Sequence, residues 1–305
     1  MKVNRRKFLS LSAMASAAAF TRAEAWPQAT LAPAAPGYEL LIFATNWGYE
    51  GSWADFAARI RKAGYDGAEV WYPSDEQDRK EFLAAFQQHQ LRYGLLVGGS
   101  DRDPAKHLEQ FTHSLRGAVN MKPVYINCHS GRDYFSFEQN KPFIEATTQA
   151  SAASGIPIYH ETHRSRILYS APVARHYMEQ LPALQLTLDI SHWCCVHESL
   201  LADQEDTVAL ALQRTGHIHT RVGHAEGPQV NDPRAPEWKA AMDTHLRWWD
   251  TVVSKKRAEG KRMTMLTEFG PVDYLPALPY TRQPVADQWD INVHMLNLLR
   301  QRYQP

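Results

Sequence analysis

The chain has 305 residues and carries 33 basic against 33 acidic side chains, so it is formally neutral at pH 7. It shows neither a basic excess nor a basic run suited to a polyanion, which weighs against nucleic acid as a partner. Its three cysteines, Cys128, Cys194 and Cys195, are too few and too unevenly spaced for a disulfide framework or a structural zinc site, and they read as small apolar fillers near strand ends.

Residues 1–25 open with Lys2, Arg5, Arg6 and Lys7, continue as a weakly apolar stretch from Phe8 to Phe20, and leave through Ala23-Glu24-Ala25. This is the pattern of an export signal, and it falls well short of the roughly 20 apolar residues that a bilayer-spanning helix needs. Arg5-Arg6 followed by Lys7, Phe8 and Leu9 resembles a twin-arginine signal, which implies export of a folded protein by the twin-arginine machinery and a periplasmic location. A general secretory signal that happens to hold two arginines is the alternative. Removing the segment leaves 28 basic against 32 acidic residues, a mildly acidic mature chain with no expected membrane attachment. Residues 26–37, rich in Ala and Pro, read as a linker, and residues 38–305 as one domain.

From there, short apolar β-rich runs alternate with amphipathic stretches. The runs are 39–45, 67–71, 92–97, 124–128, 157–161, 186–190, 217–222 and 263–269; the helical stretches are 52–63, 76–88, 104–119, 138–153, 172–180, 199–213, 238–258 and 289–302. In the first helix, Trp53, Phe56, Ala57 and Ile60 share one face and Gly64 marks the end. Strict alternation with right-handed crossovers gives a parallel sheet, and eight units allow it to close, so the expected fold is a single α/β domain, a (β/α)8 barrel. An open dinucleotide-binding sheet loses support because no G-x-G-x-x-G turn follows the first run.

Such barrels build their sites from the loops after the strand C-termini. Glu161 ends the fifth run, Asp189 nearly ends the sixth, His219 lies in the seventh and Glu268 nearly ends the eighth. Three carboxylates cannot crowd together ionised without a counter-charge, and a divalent cation supplies one. Three oxygen ligands and one imidazole suit Mn2+ or Mg2+ best, with Co2+ and Zn2+ as alternatives. His217 competes with His219 as the ligand, and His219 is preferred because it lies nearer the strand end. His160 should point away from the barrel interior if Glu161 points in. Trp47, Glu69, His129, Arg132, Asp133, His163, His192 and Arg221, all near strand ends, are the expected substrate wall.

Glu161, the "DISH" of 189–192, "HIHTRVG" at 217–223 and "EFG" at 268–270 resemble the sugar isomerase and epimerase superfamily, whose members share a xylose-isomerase-like TIM barrel and include D-tagatose 3-epimerase-like enzymes and inosose dehydratase. The resemblance covers the chain after residue 38. It implies that Glu161, Asp189, His219 and Glu268 bind the metal, that His192 contacts substrate, and that Glu161 and Glu268 also move protons. The family's frequent His-x-x-Asp after the seventh strand is absent, since the chain reads His219-Thr220-Arg221-Val222, and the expectation is that Arg221 holds a substrate oxygen instead. The implied activity is a metal-dependent sugar isomerase or epimerase acting on a small keto-sugar, by proton abstraction beside the carbonyl through an enediolate. Two rivals share the site: an exported lyase that expels the aglycone of a 3-keto-glycoside by β-elimination, and a non-catalytic metal-dependent sugar-binding protein.

Overall fold

The computed structural model describes residues 31–304, so the signal reading of residues 1–25 and the first part of the linker lie outside the described residues. Eight parallel strands, β1 (Glu39–Thr45), β2 (Gly67–Trp71), β3 (Arg92–Gly98), β4 (Ile126–His129), β5 (Ile158–Glu161), β6 (Leu186–Leu188), β7 (Thr215–His219) and β8 (Arg262–Thr267), close into one barrel in sequence order. Closure is made by β1 and β8, paired from Glu39 with Arg262 to Ala44 with Thr267. Around them lie α1 (Trp53–Ala63), α2 (Glu76–Gln88), α3 (Pro104–Asn120), α4 (Phe137–Ser154), α5 (Ala171–Gln180), α6 (Ser191–Val196), α7 (Glu205–Arg214), α8 (Lys239–Ala258) and α9 (Gln288–Tyr303). The expected (β/α)8 TIM barrel is the observed fold.

Local chemistry explains where the helices begin and end. Ser52 caps α1 by accepting from the Asp55 backbone N–H, and Gly64 closes it in the left-handed conformation at φ 95°. Asp103 caps α3 ahead of Pro104, and Ser136 with Gln139 forms a reciprocal capping box on α4. Seated this way, the helices lay their apolar faces on the outward residues of the strands. Ile42, Val70, Leu95, Val97, Ile126, Ile158, Leu188, Ile218, Met263 and Met265 all belong to that outer core. A smaller cluster, Leu41, Phe43, Tyr125 and Leu266, fills the barrel interior.

The strand ends differ from the sequence expectation where the site is built. The sixth strand stops at Leu188 because the Asp189 N–H leaves the ladder and donates to Thr162 Oγ1 at 2.9 Å, and the chain then turns into α6, too short to show a period in sequence. The seventh stops at His219 and the eighth at Thr267, which leaves Arg221 and Glu268 beyond the ladder at the C-terminal mouth. The seventh helix begins at Glu205 rather than Ser199. The described part of the linker lies against α8: Ala35 N–H donates to the Arg257 carbonyl and Ala32 N–H to Ser254 Oγ, each at 2.9 Å. Among the described residues no helix is long and apolar enough to cross a membrane, and the three cysteines are free.

Two glycines make room inside the barrel. A Cβ on Gly94 would sit 2.4 Å from the Tyr125 ring, and one on Gly216 would sit 2.1 Å from the Tyr159 ring. Gly216 is also the extra residue of a bulge, since Leu186 pairs with Thr215 but Thr187 pairs with His217. The Gly94→Ala substitution forces the buried Tyr125 ring aside and is expected to cost about 1–3 kcal/mol. A lowered midpoint in urea unfolding would show it, and an unchanged midpoint would contradict the packing described.

Candidate active site

At the mouth of the barrel, ligand atoms of Glu161, Asp189, His219 and Glu268 all lie within 4.8 Å of one another. Glu161 closes β5 and His219 closes β7, whereas Asp189 and Glu268 stand just past the ends of β6 and β8. The four therefore enter from different sides of one ring. His219 Nδ1 lies 2.8 Å from Glu268 Oε2 and 3.7 Å from Glu161 Oε1. Neither His219 Nδ1 nor Glu268 Oε2 makes a hydrogen bond, although both are buried. An octahedral cation with bonds of about 2.1 Å sets adjacent ligand atoms about 3 Å apart, so the pair has the spacing of two ligands on one ion. The donor set is compatible with a divalent metal. His217 sits one layer deeper, its Nδ1 against the Thr264 carbonyl at 3.0 Å, and it is outside this quartet.

The carboxylates are buried and each is compensated differently. Glu161 Oε2 accepts from Asn127 Nδ2 at 2.8 Å and lies 3.0 Å from His129 Nε2. Burial alone would raise its pKa, but the positive charge that His129 and His219 can carry outweighs burial and holds it well below the ordinary carboxylate range. Asp189 accepts from Ser191 Oγ and from Arg221 Nη2 in two short contacts. Burial, reinforced by the neighbouring Glu268 and Glu161, still pushes Asp189 up to about 6 against the pull of Arg221. Around His219, burial works to lower the pKa, but Glu268, Glu161 and Glu69 outweigh it and the imidazole lies well above its ordinary value. Arg221 also reaches Glu268 Oε2 at 3.3 Å and His192 Nε2 at 3.0 Å.

Above these groups opens a cavity of about 360 Å3, walled by Trp47, Trp71, His129, His163, Arg166 and Tyr274, with Glu69, Glu161, Arg221 and Glu268 reaching it from below. Of the expected wall, Trp47, Glu69, His129, His163 and Arg221 line it, and three residues do not. Arg132 and Asp133 lie in the turn after β4, which is held to α4 by Asn140: its amide donates to the Arg132 carbonyl at 2.9 Å and its Oδ1 accepts from the Arg132 N–H at 3.3 Å. His192 is fully buried beside Arg221, with its ring 3.9 Å from that of His163. Arg221 faces the carboxylates rather than open space. His160 points outward beneath α4, bonded to Ser130 Oγ and Thr147 Oγ1 at 2.7 Å each, and burial pushes its pKa down to about 3.

Sequence reasoning missed Tyr274, Trp71, Arg166 and Asn127. Tyr274 packs edge-on to Trp47 at 4.8 Å and covers the Arg221 guanidinium at 4.8 Å, from an irregular segment after β8 that carries no periodic signal. Asn127 was within reach, because it shares the inward parity of His129 on β4.

The arrangement is a parallel barrel with a cation-compatible carboxylate and imidazole cluster at the strand C-termini. The model of the xylose isomerase-like TIM barrel family matches residues 57–243, more than half of the chain, and the chain belongs to that family. No curated protein matches the sequence significantly. Among solved structures, the fold is similar to the apo form of the 3-keto-D-glucoside 4-epimerase YcjR from E. coli, at TM-score 0.58 and 17% identity over 86% of this chain and 100% of that one. It is also similar to a D-tagatose 3-epimerase-like protein, at TM-score 0.58 and 11% identity over 86% and 96%. The probable 3-DHS dehydratase AsbF from Bacillus anthracis aligns at TM-score 0.52 and 16% identity over 87% and 100%.

The Arg221→Met substitution leaves the buried Asp189 without its cation and is expected to destabilise the metal-free protein by about 3–5 kcal/mol, a fall in thermal midpoint on the order of 10 °C. Adding Asp189→Asn removes the orphaned charge and should restore much of the loss. A single variant that melts with the wild type would refute the pairing.

Proposed function

We propose that this chain is a divalent-metal-dependent isomerase or epimerase of a keto-sugar, exported through the twin-arginine pathway and working in the periplasm. The observation that carries the reading is the meeting of Glu161, Asp189, His219 and Glu268 at the floor of a sugar-sized cavity. Three carboxylates with one imidazole favour Mn2+ or Mg2+. When bound, such a cation polarises the sugar carbonyl and an adjacent hydroxyl and steadies negative charge there.

The protein groups divide the proton work. Glu268 is the most open of the four, with 14% of its side chain exposed, and it removes the proton from the carbon beside the carbonyl. Glu161 borders the cavity but is more deeply buried than Glu268, and His129 bonds to it and also lines the cavity, so this pair returns a proton to the enediolate. Return on the opposite face gives an epimer; return at the neighbouring carbon gives an isomer. Trp47 and Tyr274 offer aromatic surface to the apolar face of a sugar ring.

A second reading is favoured by the rim. Trp71 and Trp47 are 53% and 38% exposed, so aromatic surface is also presented to solvent at the mouth, where a second ring could rest. A glycoside held there would lose its aglycone by β-elimination from the same enediolate. The fold likeness to a keto-glucoside epimerase and to a probable dehydratase supports both chemistries.

The purified protein is expected to hold one divalent ion and to exchange a substrate C–H with solvent deuterium. Chelation should stop exchange, and Glu268→Gln should abolish it with the metal retained. Undiminished exchange in that variant would remove Glu268 as the base. Isotope uptake with a released aglycone selects the lyase, whereas tight sugar binding without any exchange in the wild type selects a binding protein. Export has its own check: replacing Arg5 and Arg6 with lysines should keep the precursor in the cytoplasm on cell fractionation. Processing and export that continue undisturbed would point to the general secretory route.

A further inference from the structure

Glu69 comes from β2 and reaches under the quartet, not into it. It is 3% exposed, and its Oε1 lies 3.3 Å from His219 Nε2, the ring nitrogen opposite the one that faces Glu268 and Glu161. If Nδ1 of His219 is a metal ligand, its proton must sit on Nε2 and needs an acceptor. Asn127 is the other group at that nitrogen, 3.3 Å away through Nδ2, which is a donor. Both hydrogens of that amide are taken, by Glu69 Oε1 at 3.2 Å and Glu161 Oε2 at 2.8 Å. Glu69 Oε1 is thus the acceptor left for His219.

Below Glu69 the bracing continues. His217 Nδ1 lies 2.8 Å from Thr264 Oγ1 and 3.0 Å from the Thr264 carbonyl, so that side of the ring is held by β8, and Nε2 faces Glu69 Oε2 at 3.4 Å. Neither of those last two atoms has a hydrogen-bond partner. The two histidines of His217-Ile218-His219 therefore meet the two oxygens of one carboxylate, one from above and one from below.

We infer that Glu69 is the positioning residue of the metal centre: it fixes the His219 tautomer with Nδ1 free for the ion and raises the basicity of that ligand. This rests on the metal reading above, and it gives Glu69, which also borders the cavity, the support of a ligand as its role. Carboxylate support of a ligating imidazole typically changes metal affinity by about 10–100-fold.

Two substitutions separate orientation from charge. In Glu69→Gln the amide oxygen still accepts from His219, so the shape and that contact are kept and the negative charge is lost. In Glu69→Met both functions go. Mn2+ binding followed by electron paramagnetic resonance is expected to weaken about tenfold in Glu69→Gln and toward 100-fold in Glu69→Met. Metal-free Glu69→Gln should melt at the wild-type temperature or above, which a purely structural role does not foresee. In 15N-histidine-labelled, Mg2+-loaded wild type, the His219 proton, assigned through His219→Asn, should appear on Nε2 and move upfield in Glu69→Gln.

Mn2+ affinities within about twofold of wild type in both variants would overturn the inference and leave the metal reading standing. So would a proton on Nδ1 of the Mg2+-loaded wild type, or a loss of affinity matched by unfolding of metal-free Glu69→Gln. A wild type that binds no Mn2+ would instead bring down the metal reading, and the inference with it.

Discussion

Four carboxylates share the inside of one barrel, and the energetic cost of placing them there shapes what surrounds them. Removing a single charge from water costs several kcal/mol unless fixed donors replace the solvent. Glu69, Glu161 and Asp189 are each at most 3% exposed, and every one of them accepts at least one hydrogen bond. Asn127 serves two with one amide, Arg221 and Ser191 serve Asp189, and His129 serves Glu161. The inward positions of the strands are consequently polar near the mouth and apolar only deeper down, where Leu41, Phe43 and Leu266 pack. Gly94 contributes to the same end by letting the Tyr125 ring into the interior beside His217, 4.2 Å between centroids.

The arginine of the seventh strand follows from this constraint. Where the resemblance leads one to expect an aspartate after the histidine, the chain has Val222, fully buried in the outer core. The Arg221 guanidinium turns inward with His219 and is committed to Asp189, and the surrounding carboxylates raise its pKa despite its burial. Arg221 thus sets part of the charge balance of the floor. An internal cation already answers part of the negative charge, and an ion bound there would have less left to neutralise.

The fold was legible because its signal is repetitive: eight apolar runs with intervening amphipathic stretches admit few alternatives, and the order of strands around the barrel is their order in the chain. Site residues on strands were legible for a related reason, since the period of two gives the facing of His219 from its neighbours and sends His160 outward when Glu161 turns in. Residues farther past the strand ends were not. Arg132 and Asp133 have the right chemistry and stand near the end of β4, but the turn that carries them is tied to Asn140 on α4. His192 lies in a one-turn helix whose start depends on Asp189 leaving the ladder for Thr162, a contact between residues 27 apart. Tyr274 reaches the cavity from a segment with no period to read. Parity reveals that Glu69 faces inward, but its depth below the mouth comes from strand register, which a single sequence does not contain.

The two glutamates at the ends of β5 and β8 look equivalent in sequence, and their surroundings make them unequal. Glu161 is the last residue of its strand and is enclosed by Asn127 and His129. Glu268 is one residue past its ladder, yet the backbone after it is pinned: the Phe269 N–H donates to Asn292 Oδ1 at 2.9 Å and the Gly270 N–H to Gln229 Oε1 at 2.7 Å. Trp47 closes over Gly270 so tightly that a Cβ there would lie 2.3 Å from the indole. Glu268 is thereby held at the edge of the cavity with part of its carboxylate open, and a group that removes a proton from carbon needs both a fixed position and access. Glu161 borders the same cavity but is more deeply buried, and among the described residues His129 both hydrogen-bonds to it and lines the cavity. The asymmetry between donor-enclosed and edge-held carboxylates is what the proposed division of proton work between Glu268 and the Glu161–His129 pair rests on.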